Sequence, residues 1–278
     1  MTVVIAGCGD VGTEAGLRYV GLGRTVMGLR RSPEVLPDAF MKQAIDLSTE
    51  VPALPSDTTT VVLATSADGR SEAAYRSAYV SSASNVLAAI ERDCARPPRV
   101  LLISSTAVYD IDDGSQVDED TPASPGTPTS TMLIEAENVL RSALDHVVVL
   151  RLGGIYGPGR GRMIDQARSG FAGPPGSHFT NRIHRDDAAA AIVHLTTIDA
   201  PEQLYLGVDN DPADREDVLQ FLAAELGVDR PASSPTSDPT TGKQCANSRL
   251  RASGFDFDYP TFREGYRAVL AGQGMRHP

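Results

Sequence analysis

The sequence predicts a Rossmann-like, doubly wound α/β fold with a smaller C-terminal substrate lobe. Three observations support this prediction. Apolar strand-like runs alternate with helical patterns, a glycine-rich turn follows the first run, and proline and glycine become frequent after Gly153. Strands that are apolar throughout and alternate with helices are typical of a parallel sheet covered on both faces.

The elements of the first half follow one another as strand, turn and helix. β-Branched and aliphatic runs predict strands, and apolar residues at helical spacing predict helices. Strands are predicted over residues 2–6, 24–29, 59–65, 99–104 and 147–152, and helices over 12–22, 71–94 and 131–144. The stretch 231–243, rich in proline, serine and threonine, predicts an exposed loop.

Charge and cysteine content narrow the classes of partner. The formal net charge is −11 and the pI is near 4.9, so the chain repels phosphate backbones and anionic lipid. We therefore expect a small-molecule substrate and neither a nucleic acid nor a membrane as partner; a homodimer is left open. Three widely spaced cysteines indicate no metal site or disulfide framework, and the sequence fits the reducing cytoplasm.

The first turn has the pattern GxGxxG, formed by Gly7, Gly9 and Gly12. In such a turn one glycine allows the tight bend, one lets the backbone approach a pyrophosphate, and one lets the helix pack on the strand. Amides at the helix start, including those of Asp10 and Val11, face the anion. The motif lies between a predicted strand and a predicted helix, which favours dinucleotide binding over a merely structural turn.

The end of the second strand indicates which dinucleotide binds. Dinucleotide-binding proteins that prefer NAD place a carboxylate there, on the ribose hydroxyls. This chain has Arg30 and Arg31 instead. A guanidinium can hold a 2′-phosphate in bidentate fashion, so NADP is favoured. The alternative is that both arginines are simply solvated.

Two domains are expected from this organisation. Residues 1–152, with part of 183–208 returning to them, are predicted to form an NADP-binding Rossmann domain. Residues 153–182 and 209–278 are predicted to form the smaller substrate-binding lobe.

Several further motifs resemble those of atypical and extended short-chain dehydrogenases/reductases, the family of nucleotide-sugar epimerases and dehydratases. They are similar to the family's SSxxVYG, RpgnvYGPG and ihvdDla signatures and lie at residues 104–109, 151–159 and 183–188. The resemblance covers nearly the whole chain. It implies that Asp46 and Leu47 contact the adenine and that Ala64 and Thr65 flank the cofactor.

The chain departs from the family at the catalytic Tyr–Lys pair. When Glu137 is aligned with the glutamate that follows this pair, the two positions fall on Thr129 and Leu133. Threonine is too weak an acid to replace the phenol, and leucine has no charge to tune a neighbour. The resemblance also implies a helix asparagine where this chain has Tyr79.

Other residues are therefore candidates for the chemistry. Ser105 occupies the place of the family's active-site serine, and Tyr156 and then Tyr79 are the candidate phenols, although both tyrosines could be packing residues. His184 is a weaker candidate acid or base. The candidate substrate contacts are Thr106, Thr129, Arg160 and Arg162, the two arginines for an anionic group.

The sequence thus predicts an NADP-dependent oxidoreductase or epimerase-like enzyme. Its substrate would be a small carbonyl or hydroxyl compound, either sugar-nucleotide-like or anionic. The alternative is a non-catalytic NADP sensor, favoured by the loss of the Tyr–Lys pair. A methyltransferase or flavoprotein is disfavoured, because Arg30 and Arg31 lie where those proteins need an acid.

Overall fold

A seven-stranded parallel sheet forms the centre of the protein. The computed structural model describes residues 1–171, 176–229 and 240–278. In chain order the strands are β1 Thr2–Ala6, β2 Thr25–Arg30, β3 Phe40–Ala44, β4 Thr58–Leu63, β5 Arg99–Ser105, β6 Gln116–Val117, β7 Val147–Leu152, β8 Gly154–Tyr156, β9 His178–Thr180, β10 Arg182–His184, β11 Leu204–Gly207, β12 Ala213–Asp214, β13 Thr241–Gly242 and β14 Gln244–Cys245. The central sheet has the order β11-β7-β5-β4-β1-β2-β3, with every neighbouring pair parallel.

Helices cover both faces of this sheet. They are α1 Asp10–Gly21, α2 Glu72–Tyr75, α3 Ser82–Asp93, α4 Pro128–Arg141, α5 Arg162–Arg168, α6 Arg185–Thr197, α7 Arg215–Leu226, α8 Ser248–Ala252 and α9 Phe262–Leu270. Helices α1 and α6 contribute to one buried cluster, and α3 and α4 contribute to another on the opposite face. The predicted Rossmann-like, doubly wound fold is therefore confirmed.

The sheet order places a crevice at its centre. β1 lies between β2 and β4, so the chain winds outwards from β1 in both directions. At such a switch point the loops after the two diverging strands leave in opposite directions and open a ligand-binding cleft at the carboxyl ends of the strands. The loops after β1 and β4 are those that carry the glycine motif and the pair Ala64 and Thr65.

A π-helical turn, Arg76–Ser81, interrupts the helix predicted over 71–94 and joins α2 to α3. Short π segments inside α-helices are rare and frequently occur at functional sites. Here the turn borders the central crevice, because Ser77 and Ala78 line it.

The C-terminal residues form a second, smaller core. Its buried members come from β8, α5, β12, α7 and α9 and include Tyr156, Phe262 and Tyr266. Leu250 and Phe255, in contrast, pack with the cluster that covers the central sheet. The division into two domains stays a prediction, and the loop predicted over 231–243 lies mostly outside the described residues. Within the described ranges, no helix has the length and apolar character needed to cross a membrane.

Candidate functional site

A cleft of about 670 Å³ lies at the carboxyl ends of β1, β2 and β4. Most of the predicted cofactor-binding residues line it, namely Gly7, Gly9, Arg30, Arg31, Asp46, Leu47, Ala64 and Thr65. The remaining three, Asp10, Val11 and Gly12, form the first turn of α1. The cleft-lining residues lie at the ends of β1, β2, β3 and β4 or on the loops that follow them. The sequence predicted that they form one site, and the structure brings them together around one cleft.

The glycine loop has the shape that a dinucleotide requires. Gly7 has a φ of +83°, and a Cβ there would lie 2.7 Å from the amide nitrogen of Thr65. Gly9 lines the cleft, and a Cβ there would meet no described atom within 4 Å. Among the described residues no side chain caps α1, so its first amides face this space. The loop therefore fits a pyrophosphate at a helix N-terminus.

Arg30 and Arg31 border the same cleft but differ in their surroundings. Arg30 is half-buried, and its Nη1 donates to the carbonyl oxygen of Cys8 at 3.3 Å. Arg31 is exposed and forms an ion pair of 2.8 Å with Asp68. Asp68 itself follows β4 rather than β2, so the end of β2 carries two guanidinium groups and no carboxylate.

Asp46 and Leu47, the residues predicted to contact the adenine, line one side of the cleft. Asp46 Oδ1 accepts hydrogen bonds from the amide and the hydroxyl of Ser48, which fixes the turn after β3. The carbonyl oxygen of Leu47 accepts a hydrogen bond of 2.9 Å from Asn85 Nδ2 in α3. Sequence reasoning missed Asn85. The sequence did contain a signal for this residue, since Asn85 and Val86 form the Asn–Val pair that the family resemblance implies. The pair lies six residues beyond Tyr79, the position at which the asparagine was expected.

Asp10 uses its side chain to join distant parts of the chain. Its Oδ2 lies 2.6 Å from Arg160 Nε, and its Oδ1 lies 2.6 Å from Arg185 Nη1. Burial raises the pKa of Asp10, but the hydrogen bonds it accepts and the charge of Arg185 outweigh burial and lower this pKa overall. Arg160, predicted as a substrate contact, therefore lies beside the cofactor loop. Only the backbone amide of Asp10 remains positioned for a phosphate.

Ser105 ends β5 and begins a short 3₁₀ turn. Its Oγ accepts a hydrogen bond of 3.1 Å from the amide of Ala107. The hydroxyl hydrogen of Ser105 is thus the part that can be donated to a substrate oxygen. Thr106, the next residue, is buried with 7% of its surface exposed, which limits the contact it can make with a ligand.

The positions aligned with the Tyr–Lys pair lie on α4. The hydroxyl of Thr129 lies 3.1 Å from that of Thr127, which caps this helix. Leu133 is 3% exposed and packs in a cluster with Val108. Tyr79 packs against the same cluster, so an apolar contact occupies the region where the family would place an ammonium group.

Both candidate phenols are poor acids where they lie. Tyr79 stacks on Tyr75, with ring centroids 5.3 Å apart, and burial raises its pKa to about 12. Tyr156 is 4% exposed and packs on Tyr266, and burial raises its pKa further still. These surroundings favour the packing role that was the alternative for each tyrosine, and their catalytic role stays a prediction.

A second cavity, of about 530 Å³, opens in the C-terminal lobe. Its wall carries a concentration of cationic side chains, namely Arg160, Arg162, Arg182 and Arg215, together with His178. Arg162 and Arg160 were predicted for an anionic substrate. Arg182 and Arg215 were missed, because no local pattern relates them to the loop 157–162.

His184 does not have the properties of an acid or base near neutral pH. It precedes α6, and its Nδ1 accepts a hydrogen bond of 3.2 Å from the amide of Asp186. Burial lowers the pKa of His184 to about 4 despite the nearby carboxylate of Asp186. The imidazole is therefore a neutral helix cap.

A buried ion pair supports the loop that carries Ser105. Glu137 Oε2 lies 2.7 Å from Arg151 Nη2, and Glu137 Oε1 accepts a hydrogen bond of 2.7 Å from Ser104. Arg151 Nη1 donates to the hydroxyl of Tyr109 at 2.7 Å. This network ties α4 to β5 and β7 through Ser104, the residue that precedes the predicted active-site serine.

Comparison with known proteins relates the fold to a family. A solved protein from Methylobacillus flagellatus, described as an NAD-dependent epimerase/dehydratase, is 35% identical, with 98% of each chain covered and a TM-score of 0.83. The human epimerase-family protein SDR39U1, solved with NADPH, is 22% identical, with 98% and 99% of the chains covered and a TM-score of 0.81, and supports the fold.

A reductase is similar in sequence as well. The 3-diazoavenalumate denitrifying reductase from a Streptomyces species is 30% identical over 203 residues. The match covers 63% of this chain and 66% of the reductase, slightly less than two thirds of its length. No family model matches the chain.

The glycine loop at the switch point fits a nicotinamide dinucleotide, and the similarity to the Methylobacillus protein extends over the full chain. The chain therefore belongs to the NAD-dependent epimerase/dehydratase family, whose members are epimerase-like, NAD(P)-binding enzymes of the oxidoreductase type with a Rossmann-like fold.

Proposed function

We propose that the protein is an NADP(H)-dependent oxidoreductase acting on a small, anionic carbonyl or hydroxyl compound. One observation carries the choice of NADP. The end of β2 presents Arg30 and Arg31 to the cofactor cleft, where NAD-preferring proteins present a carboxylate. A guanidinium attracts the 2′-phosphate that NADP has and NAD lacks.

The chemistry would divide between the cofactor and the chain. When bound, the nicotinamide supplies hydride transfer. Ser105 would donate its hydroxyl hydrogen to the substrate oxygen, and the arginine-lined cavity would hold an anionic group of the substrate. Because Tyr156 is buried against Tyr266 and Tyr79 packs on Tyr75, we assign delivery of the proton to solvent water rather than to either phenol. The similarity to a reductase supports the direction of reduction.

Calorimetric titration with NADPH and NADH tests the cofactor. In the wild type we expect NADPH to bind more tightly than NADH, and the Arg30→Asp/Arg31→Ala variant should lose at least about tenfold in NADPH affinity, since charge-assisted bonds to a phosphate are lost. Arg24→Ala is the matched control, because this exposed arginine precedes the opposite end of the same strand. Equal binding of NADH and NADPH would refute the proposal for NADP.

A non-catalytic NADP sensor is the second candidate, favoured by the buried Leu133 where the family would have its lysine. Turnover of a panel of anionic aldehydes and ketones with NADPH distinguishes the two. An enzyme should show turnover that falls in Ser105→Ala, whereas a sensor should bind NADPH tightly without any turnover.

A further inference from the structure

The final residues of the sequence, 275–278, run back across the start of α1. Each makes a hydrogen bond to a part of the chain that borders the cofactor loop. The pairs are Met275 O with Arg185 Nη2 at 2.8 Å, Arg276 Nη1 with Gly159 O at 3.0 Å, the His277 amide with Asp10 Oδ1 at 3.1 Å, and Pro278 O with Arg30 Nη1 at 2.9 Å. His277 Nε2 also lies 2.9 Å from Glu14 Oε2. We call residues 275–278 the strap.

The contact with Arg30 is the one that bears on the cofactor. Arg30 lines the cleft together with Gly7 and Gly9, and its Nη1 is directed at the carbonyl oxygens of Cys8 and Pro278. If Arg30 holds the 2′-phosphate, as the proposed function requires, the phosphate and Pro278 compete for one guanidinium. A phosphate monoester is the stronger acceptor, because it carries close to two negative charges and offers several oxygens that one guanidinium can bind in bidentate fashion.

The other contacts extend the effect beyond the cofactor. The amide of His277 donates a hydrogen bond to the carboxylate of Asp10, which also binds Arg160. Arg276 donates a hydrogen bond to the carbonyl oxygen of Gly159. Gly159, Arg160 and Arg162 line a further, open cavity at the start of α5. The strap therefore touches both the 2′-phosphate position and the loop that borders the predicted substrate site.

We propose that the strap discriminates between the two cofactors: NADPH takes Arg30 from Pro278 and releases residues 277–278, whereas NADH, lacking the 2′-phosphate, leaves them in place. This inference rests on the proposed role of Arg30. Release of residues 277–278 removes the hydrogen bond from His277 to Asp10, whose carboxylate also binds Arg160, only when the phosphorylated cofactor is bound. The cofactor site and the loop that carries Arg160 thereby become linked.

Deletion of His277 and Pro278 tests the competition. We expect the deletion to tighten NADPH binding by about threefold to tenfold in calorimetry, the effect of removing one competing hydrogen bond to a charged group near the surface. NADH affinity should stay within about twofold of the wild-type value, since NADH has no phosphate to compete. Gln273→Ala, an exposed position just before the strap, is the control.

Hydrogen exchange in the unaltered protein provides a second measurement. NADPH should speed exchange at the amide of His277, which donates to Asp10, and NADH should not. The proposal is overturned if the deletion leaves NADPH binding unchanged or weaker, if it tightens both cofactors equally, or if NADPH slows this exchange. Should NADPH binding prove independent of Arg30 and Arg31, the proposed function would fail as well; if it depends on them while the deletion has no effect, only the strap proposal fails.

Discussion

Asp209 is a buried carboxylate in the C-terminal lobe. It is 1% exposed, and its Oδ2 has no hydrogen-bond partner among the described residues. Its amide donates to the carbonyl oxygen of Arg182, whose Nη1 is likewise buried without a described partner. Burial raises the pKa of Asp209 to about 7, although the charge of Arg182 acts in the opposite direction.

The raised pKa predicts how stability depends on pH. The folded protein binds a proton at Asp209 up to about pH 7, whereas the unfolded chain releases it near 3.8. The folded state is thus the more protonated one between these values, and the free energy of unfolding should fall as pH rises through this window. Asp209→Asn should reduce the loss of Tm between pH 5 and pH 8 by about 5 °C, since titration over roughly two pH units amounts to about 2.7 kcal/mol and a chain of this size loses roughly 2 °C for each kcal/mol.

Thermal denaturation at a series of pH values checks this expectation. Asp145→Asn, at an exposed loop position before β7, is the control and should follow the wild-type profile. Asp187, whose pKa burial raises to about 6, should retain part of the slope in the variant. A profile for Asp209→Asn parallel to that of the wild type would mean that this carboxyl group is ionised throughout.

At the scale of single residues, a sequence can predict a role only where that role depends on neighbours in the chain. Gly7 and Gly9 could be identified as the glycines of a GxGxxG turn, because the residues that determine the backbone conformation of this turn lie within six consecutive positions. The partner of Arg160 could not, since Asp10 lies 150 positions away. The contact of Arg160 Nε with Asp10 was therefore not foreseen, and the predicted substrate role of Arg160 stays a prediction.

Among the elements, α4 depends on the buried Glu137–Arg151 pair. The side chains are 2% and 5% exposed, so loss of one partner leaves an uncompensated buried charge. We expect Glu137→Ala to lower the free energy of unfolding by about 3 to 5 kcal/mol, measured by urea denaturation at pH 7. Glu135→Ala, two residues earlier on the same helix, should change it little, because the Glu135–Arg76 pair is exposed.

Comparing Glu137→Ala with Glu135→Ala shows whether the buried ion pair stabilises the protein more than an exposed one does. If both cost the same, the Glu137–Arg151 network contributes no more than a surface ion pair, and the support it is thought to give the Ser105 turn is absent. Glu137→Gln keeps the shape of the side chain and should fall between the two.

The ends of a strand or helix could be predicted from the sequence where an apolar run ends clearly between neighbouring residues. The strand predicted over 147–152 matches β7, because the polar His146 precedes this mostly apolar run and Gly153 follows it. Helix α4 begins at Pro128 rather than near 131, since a capping box formed by Thr127 and Ser130 starts it earlier. The strands of the lobe, two or three residues long and paired across the chain, have no periodicity that a sequence could display.

For the molecule as a whole, Asp10 joins the glycine loop to the second half of the chain. It binds Arg160 and the fully buried Arg185, which are 150 and 175 positions away. Asp10→Ala should therefore cost about 3 kcal/mol in unfolding free energy, because Arg185 loses one of its buried carboxylates. Urea denaturation with Asp38→Ala, an exposed carboxylate, as control measures this cost. A change no larger than that of the control would show that the two halves do not depend on this contact.

The π-helical turn between α2 and α3 has a consequence for comparing this chain with others. One residue more than an α-helix needs is accommodated within 76–81, which is equivalent to an insertion inside a helix. Removing one residue there would rotate α3 by about 100° relative to α2 and turn Asn85 away from Leu47. An ungapped alignment drawn through this segment with a relative that lacks the turn is therefore out of step by one residue on one side of it. Positions in both α2 and α3 can be compared with such a relative only when a one-residue gap is opened inside the helix.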